Sequence, residues 1–192
     1  MASSFEIKST RPSVGETIVT IVRDHIDYRK QIFKLAGSDL RRTYRASALG
    51  WSWAIIKPLV TIFVYWFAFA IGLRRGGDIE GYPFVLWLIS GIVPWFYMSE
   101  MLTFGTECIL RNRYLVTKMK YPVSTIPTFT SISKFSVHLI LMMITILIFV
   151  ITGNELTIYL VQLPFYMLCN FLFFTGWAMS VSYTHLRAHE TR

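Results

Sequence analysis

The stretch that decides the fold is Phe135–Asn154, FSVHLILMMITILIFVITGN, which contains no Asp, Glu, Lys or Arg. A helix needs about 20 predominantly apolar residues to cross a bilayer, because lipid offers no partner to backbone polar groups. Three more runs lack these charges: Pro58–Leu73, Gly81–Ser99 and Leu156–Leu186. The first of them is long enough if the helix starts near Trp51 and Lys57 extends to the headgroups. We therefore predict an all-α membrane protein with transmembrane helices at about residues 51–73, 81–102, 128–152 and 156–180.

The overall composition favours the same class. Hydrophobic residues make up 54% of the 192 residues, aromatic residues make up 16%, and the mean hydropathy is +0.48. A soluble chain of this length would have to bury all four apolar runs in one core. The net charge of +8 is carried by residues that flank these runs rather than by a separate basic domain. We therefore expect membrane lipids as partners and no nucleic acid.

The positive charges also predict an orientation. Most Lys and Arg residues precede the first span, within Lys8–Arg45, or lie between the second and third spans, within Arg111–Lys120. Between the first and second spans, two Arg residues are offset by Asp78 and Glu80. The positive-inside rule then places the N-terminus and the 111–121 loop in the cytoplasm. The expected location is the cytoplasmic membrane.

The cytoplasmic N-terminal segment, residues 1–27, lacks the apolar core of a secretory signal. An amphipathic helix is predicted ahead of the first span. Its apolar face contains Val22, Ile26, Phe33, Ala36, Leu40 and Tyr44. A neighbouring face carries Lys30, Lys34, Arg41 and Arg45. Such a helix lies in the interface with its apolar side toward lipid and its cations toward phosphates. We expect Gly37 and Ser38 to divide it into two, with Ser38 or Asp39 capping the second part.

Two interpretations of this helix remain open from the sequence. In one, it is an anchor whose cations only set the topology. In the other, Lys34, Arg41, Tyr44 and Arg45 contact an anionic headgroup or diphosphate at the entrance of a lateral gate.

Two sequence blocks are more specific than any apolar run. The first is Tyr44–Trp53, YRASALGWSW, followed by Lys57-Pro58-Leu59; Gly50 permits a change of direction there, and the tryptophans anchor at the interface. The second combines Ser90–Tyr97, SGIVPWFY, with Arg111–Pro122, RNRYLVTKMKYP. Together they resemble the permeases of ABC-2 type exporters, especially those for polysaccharide, O-antigen or teichoic acid polymers. The resemblance covers about residues 33–180, and we assign residues 28–180 to this type of transmembrane domain.

The resemblance implies a transport subunit rather than an enzyme. Members of the family have about six transmembrane helices and work as a homodimer with two separate ATPase subunits, which bind ATP and magnesium. The implied cargo is a polyprenyl diphosphate-linked glycan or a teichoic-acid-like polymer. ABC-2 permeases also move drugs and lipids, so a drug or lipid exporter is the alternative. No cofactor or metal is expected in this chain.

In the family, the loop after the second span contains a coupling helix that docks into a groove on the ATPase. The candidate coupling residues are Asn112, Leu115, Val116, Lys118, Met119, Tyr121 and Pro122. A short helix ending before Tyr121-Pro122 is expected to present Leu115, Val116 and Met119 outward, with lysines at the rim. The alternative is a solvated loop whose cations serve topology alone.

Polar residues within the apolar spans allow a functional or a structural interpretation. Glu100 and Glu107 are seven residues apart and so share a helical face, where we favour pairing with Arg111 or Arg113. His138 has Asn170 as one possible polar partner. Aromatic residues near the predicted outer half are mainly packing and belt residues. Three of them are candidates to line a polymer conduit: Tyr65, Trp66 and Trp87.

Several chemistries are not indicated by the sequence. The two cysteines, Cys108 and Cys169, have no metal-site spacing and are expected to be unbridged. No GxxxxGK[ST] motif occurs, so ATP binding is expected on a partner. A lipid-linked sugar transferase using Arg41, Arg45 and Glu100 is the rival enzyme hypothesis, and a pore or scaffold without turnover is a third class.

The last residues form a separate case. Residues 181–192, VSYTHLRAHETR, resemble the translation of a sequencing adapter. We expect this tail to be non-native, to carry no function, and to stand where the natural chain continues with about two further transmembrane helices.

Overall fold

The computed structural model describes residues 13–45, 49–72, 77–79, 81–119, 121–154 and 157–190. The α-helices of this part are, in chain order, α1 (Val14–Asp27), α2 (Arg29–Tyr44), α3 (Trp53–Trp66), α4 (Phe84–Glu100), α5 (Cys108–Arg111), α6 (Arg113–Met119), α7 (Ile126–Ile151) and α8 (Leu163–Glu190). Residues 1–12 of the N-terminal segment, 46–48 of the first motif, Lys120 of the loop and 191–192 of the tail lie outside the described residues.

Within the described ranges, four helical stretches are long and apolar enough to cross a membrane. They are Gly50–Gly72, Phe84–Gly105, Val123–Ile151 and Ile158–Thr184. Each coincides with one of the four predicted spans, so the prediction of an all-α membrane protein is confirmed. The first and fourth spans leave most of their apolar side chains exposed, as expected for helices surrounded by lipid or by other membrane helices.

The entry into the first span is shaped by one glycine. Gly50 has φ +54°, a left-handed conformation that residues with a side chain rarely adopt. It opens a 3-10 turn, Gly50–Ser52, which leads directly into α3. The change of direction expected at this motif is therefore present.

The amphipathic segment is divided at a different place from the one expected. The break lies at Tyr28, between α1 and α2, and α2 continues without interruption through Gly37 and Ser38. The predicted split at Gly37 is therefore wrong. A mid-helix glycine costs only about 1 kcal/mol relative to alanine, and burial of Ile32 and Ala36 on the same helix offsets that cost.

The buried side of α2 faces protein rather than lipid. Ile32 and Ala36 pack in a cluster with residues from α5, α6 and the start of α7: Cys108, Ile109, Leu115, Tyr121, Ile126 and Phe129. Of the apolar face predicted for this segment, Ala36 is buried, whereas Val22, Ile26 and Phe33 are exposed. The expectation that the whole face meets lipid is thus wrong for its central part. Helix α2 packs against α7, and this contact buries Ala36.

The second span is held close to α8 by a small-residue contact. At its end, Met101–Gly105 forms a π-helical turn, and a side chain built at Gly105 would lie 3.0 Å from Ala178 Cβ. Tyr97, Met101, Phe174 and Ala178 form the buried cluster at this crossing. The absence of a side chain at Gly105 therefore permits the close approach of the two helices.

Candidate functional site

The 111–121 loop folds into a compact corner. Helices α5 and α6 meet at Asn112, which is 4% exposed. Its side-chain Nδ2 donates to the Cys108 carbonyl at 2.8 Å, and its own carbonyl accepts from the Leu115 N–H at 2.9 Å. The helix expected in this loop is present as α6, and we call α5, α6 and the following residues to Thr125 the coupling segment.

Helix α2 is bonded to this corner through one arginine. Arg42 Nη2 donates to Asn112 Oδ1 at 3.0 Å and also to Asp39 Oδ1 at 3.1 Å. Asp39 is mostly buried, so it holds the guanidinium in a fixed position beside Asn112. The arginine thus links the helix predicted to lie at the gate with the loop predicted to dock on an ATPase.

Helix α1 reaches the other end of the coupling segment. Ser124 Oγ donates to Asp24 Oδ2 at 2.7 Å, and His25 Nε2 hydrogen-bonds Thr128 Oγ1 at 2.8 Å. Where α1 meets α2, the ring of Tyr28 lies edge-on to that of Tyr121 with centroids 5.4 Å apart. The pKa of Tyr121 is raised, chiefly by burial, so the phenol is neutral at this contact.

These contacts join two sequence segments into one body. Polar contacts occur at both ends of the α1–α2 pair, and an apolar cluster lies between them. Because each contact crosses between segments roughly 70 or more residues apart in the chain, none was predictable from local sequence pattern.

A buried ion pair lies directly behind this corner. Lys134 Nζ on α7 is 3.4 Å from Glu100 Oε2 at the end of α4, and the lysine side chain is 5% exposed. The Phe104 ring lies 4.3 Å from Lys134 Nζ and 4.7 Å from Arg111 Cζ, so it contacts both cations through its face.

The pairing predicted for Glu100 is therefore wrong in its partner, which is Lys134 instead of Arg111 or Arg113. The π-helical turn at Met101–Gly105 changes the helical phase, so Glu100 and Glu107 no longer share a face. Glu107 is exposed, and no ion pair involves it among the described residues.

The candidate coupling residues divide into buried and exposed groups. Leu115, at 3% exposed, and Tyr121, at 8%, belong to the cluster beneath α2. Lys118 and Met119 are exposed, the latter at 66%, whereas Val116 and Pro122 are half-buried. The expectation that Leu115 faces outward is wrong, because α2 covers that side of α6. Tyr114, which is not among the candidate coupling residues, also has an exposed ring on α6.

Of the four candidate gate residues, one lines a cavity. Lys34, Arg41 and Arg45 are exposed, whereas Tyr44 lines a cavity of about 130 Å³ between α2, α3, α4 and α7. Burial, followed by the charge of Glu100, raises the pKa of Tyr44 to about 12, so its hydroxyl remains a neutral donor.

Two lysines of this cavity were missed as site residues. Lys57 and Lys134 line it together with Tyr44 and Glu100. In the sequence, Lys57 stands directly before the first apolar run, where it is expected to extend to the headgroups, and Lys134 stands directly before the third. Only the packing of α3 and α7 against α4 brings them to one cavity.

The candidate conduit aromatics are also separated. Tyr65 and Trp87 line a cavity of about 500 Å³ between α3 and α4, together with Phe69 and Trp95. Trp66 packs on Phe63 instead, with ring centroids 5.9 Å apart. A conduit role for any of them stays a prediction.

The cysteines are unbridged, as expected, with Cys108 buried and Cys169 exposed. Within the described ranges, no three His, Cys, Asp or Glu side chains come together as a metal site. His138 and Asn170 do not hydrogen-bond each other; His138 Nδ1 and Asn170 Oδ1 are both buried without a hydrogen-bond partner in the described part of the chain. The pairing considered for them is therefore not formed.

Four apolar helices that pack through a buried ion pair and small-residue contacts define this chain as a multi-pass helical membrane protein. No family model matches it. It is 29% identical over 130 residues to the O-antigen export system permease protein RfbA of Myxococcus xanthus, covering 66% of this chain and 48% of that protein. Two proteins of the same name from Klebsiella pneumoniae are 28% and 27% identical over 93 residues, which cover 48% of this chain and 34% of each relative.

The resemblance to polysaccharide export permeases that the two sequence blocks indicate is confirmed by these relatives. The chain spans about half the length, or less, of the curated relatives it matches.

Proposed function

We propose that this chain is the transmembrane permease subunit of an ATP-driven ABC exporter. Its cargo would be a lipid-linked polysaccharide of the O-antigen type, or a teichoic-acid-like polymer, carried across the cytoplasmic membrane. Two copies would form a homodimer with two ATPase subunits, which hold the ATP and magnesium. The N-terminus and the coupling segment would lie in the cytoplasm, in accord with the distribution of Lys and Arg.

The observation that carries this proposal is the connection of α1 and α2 to the coupling segment. Arg42 of α2 hydrogen-bonds Asn112, and Asp24 of α1 hydrogen-bonds Ser124. A force on the coupling segment would therefore be transmitted to both α1 and α2. An ATPase that pushes on the exposed side of α6 would displace α2 together with the coupling segment. Helix α2 ends at Tyr44, at the mouth of the cavity that also holds Lys57 and Lys134. Motion of the ATPase would thus be transmitted to a cavity in which Lys57 stands beside the Lys134–Glu100 ion pair.

The docking surface on α6 would consist of the exposed residues Tyr114, Lys118 and Met119. An exposed aromatic and a thioether beside a lysine are suited to a small helix-in-groove interface. Leu115 would support this surface from beneath rather than contact the partner.

Copurification with an ATPase tests the proposal. The full chain would be expressed together with a candidate ABC ATPase and captured by an affinity tag. Met119→Asp should reduce the retained ATPase at least tenfold, because it places a charge in an apolar groove. Gln31→Asp, on the exposed surface of α2, is the matched control and should retain it. Capture of no P-loop ATPase by the unmodified chain would refute the permease assignment.

The alternatives make different predictions in the same preparation. A lipid-linked sugar transferase would be active without the ATPase. A drug or lipid exporter would bind the ATPase but would transport its cargo without a polymer being made. A pore or scaffold would let substrate pass without ATP.

A further inference from the structure

One aromatic ring lies between the coupling segment and the buried ion pair. Phe104 is half-buried at the end of the second span. Its ring centroid is 4.7 Å from Arg111 Cζ, on the coupling segment, and 4.3 Å from Lys134 Nζ, on α7. The face of an aromatic ring attracts positive charge. A single side chain therefore contacts a cation of the coupling segment and a cation of the membrane-spanning part.

Lys134 lies between two spaces in the structure. On one side, it lines the cavity of about 130 Å³ between α2, α3, α4 and α7. On the other side, it lines a small cleft of about 10 Å³ together with Phe104 and Arg111. A lysine side chain is long and flexible, so its position depends on what holds its ammonium group. The contacts that hold it are the Glu100 carboxylate, at 3.4 Å, and the Phe104 ring.

Arg111 depends on the same ring. Its side chain is exposed, and no ion pair involves it in the part of the chain that the structure describes. Asp39 also lines the small cleft, but its carboxylate is paired with Arg42. The Phe104 ring is therefore the contact that attracts the Arg111 guanidinium.

The backbone fixes the position of this ring. Phe104 lies in the π-helical turn Met101–Gly105. The next residue, Gly105, is so close to α8 that a side chain built on it would lie 3.0 Å from Ala178 Cβ. The ring cannot follow Arg111 without disturbing this contact. Displacement of the coupling segment would therefore move Arg111 relative to the ring.

The two cations on the ring also repel each other. Their distances to the centroid place them at most about 9 Å apart, and like charges at this separation repel appreciably where one of them is removed from water. Lys134 is such a charge, since it is only 5% exposed. The approach of Arg111 should therefore weaken the contact between Lys134 and the ring, and its withdrawal should strengthen that contact.

We propose that Phe104 is a positioning residue for coupling: its ring holds Lys134 against Glu100 in the cavity wall, and Arg111 of the coupling segment competes for the same ring. Displacement of the coupling segment then changes how firmly Lys134 is held. That an ATPase causes this displacement rests on the proposed function. The competition for the ring does not rest on it.

Chemical labelling of Lys134 in the purified full chain, in lipid nanodiscs and without an ATPase, tests the competition. The probe is a water-soluble acetylating ester that reacts with amines, and mass spectrometry gives the labelled fraction. Phenylalanine with one, two or three ring fluorines is incorporated at position 104, because fluorine withdraws electron density from the ring face and barely alters ring size. The matched control is the same series at Phe174, a buried ring without a cation–π contact among the described residues.

A second pair of variants tests the role of the arginine. Arg111→Met removes the competing cation, and Arg113→Met, which replaces an exposed arginine of α6, is its control. Both are labelled under the same conditions as the fluorinated proteins.

Labelling of Lys134 should rise with each fluorine at position 104, by roughly fivefold over the series, because the cation–π contact is progressively lost. It should stay unchanged in the Phe174 series and in Arg113→Met, and it should fall in Arg111→Met. The absence of a trend at position 104 would show that the ring only fills space. A labelled fraction in Arg111→Met that is unchanged or higher would show that the arginine does not compete. Either result would overturn the inference.

The role in coupling is tested in the complex with an ATPase. A non-hydrolysable ATP analogue should change the labelling of Lys134 in the unmodified chain and not in Arg111→Met. No change in the unmodified chain would overturn the coupling role, even where the fluorine trend is present. Failure of copurification with an ATPase would refute the transport function without affecting the labelling of the isolated chain.

Discussion

Arg42 Nη2 donates a hydrogen bond to Asn112 Oδ1 at 3.0 Å, and this contact adds a polar link between α2 and the corner of α5 and α6 to the apolar packing there. Asn112 is 4% exposed and is itself fixed by a bond to the Cys108 carbonyl. The guanidinium of Arg42 is held in place by a second hydrogen bond, to Asp39 on the same helix. The position of α2 relative to the coupling segment therefore depends on a few side chains with defined geometry.

Replacing Arg42 with Ala should uncouple ATP hydrolysis from export. The substitution removes the hydrogen bond to Asn112 and leaves the exposed residues of α6 unchanged. The ATPase should therefore still bind to the permease and hydrolyse ATP. The stability loss should be about 1–2 kcal/mol, the usual range for a partly exposed charge-assisted hydrogen bond. Lys30→Ala, which removes an exposed cation of the same helix outside the four candidate gate residues, is the control. Measuring ATP hydrolysis and polymer export on one preparation would separate the two effects, and parallel loss of both would contradict this role for Arg42.

Glu100→Leu should destabilise the protein more than Lys134→Met does, because Glu100→Leu leaves a 5% exposed lysine unpaired. Removing one member of a buried pair typically costs about 3–5 kcal/mol, because the other charge is left unpaired. In Lys134→Met, the remaining Glu100 is about one-third exposed and can still reach water. The loss of stability in this variant should therefore lie at or below the lower end of that range. The double variant Lys134→Met with Glu100→Leu should recover part of the loss. The check is the melting temperature by tryptophan fluorescence, and strict additivity would show that the two charges do not interact.

Gly105→Ala should destabilise the crossing of the second span with α8. Its new methyl group would lie 3.0 Å from Ala178 Cβ, which cannot move without the helix. Overpacking of this kind costs about 1–3 kcal/mol. Gly91→Ala, in the same span, has nothing within 4 Å and should be neutral or slightly stabilising. Thermal unfolding of both variants in one detergent provides the measurement, and equal melting temperatures would argue against the close approach.

Cys108 should react slowly with maleimide at neutral pH and faster as the pH rises. Burial raises its pKa to about 11, and the thiolate is the reactive form. At pH 8 only about one thiol in a thousand would be ionised, and the fraction should grow tenfold per pH unit until the pKa is approached. The Cys169→Ser variant, which leaves Cys108 as the only thiol, is labelled at several pH values between 7 and 9. Mass spectrometry of the labelled protein then gives the rate at each pH. Rapid labelling at pH 7 would show that Cys108 is not buried.

The sequence predicted the main architecture because the features that determine it are local. A run such as Phe135–Asn154 must form a helix in lipid wherever it packs, and Gly50 turns the chain because of its own backbone freedom. The helix in the 111–121 loop follows in the same way from Tyr121-Pro122. The same patterns could not place the break at Tyr28, since it is stabilised by contact with Tyr121 from a distant segment.

The candidate site shows the limit of local pattern most clearly at α6. Periodicity puts Leu115 and Met119 on one side of a short helix, but α2 covers the first and leaves the second exposed. Likewise, the sequence shows only that Lys134 precedes the third apolar run, whereas the structure shows it as a buried partner of Glu100.

By itself, then, the sequence determined the class of protein, the four spans and the family resemblance, since hydrophobic length, charge placement and motif spacing are properties of the chain alone. Only the tertiary structure decided which charges pair, which coupling residues are exposed, and that Arg42 joins α2 to Asn112. The physical reason is that hydrogen bonds and ion pairs act over about 3–4 Å, and residues far apart in sequence come that close only when the helices have packed.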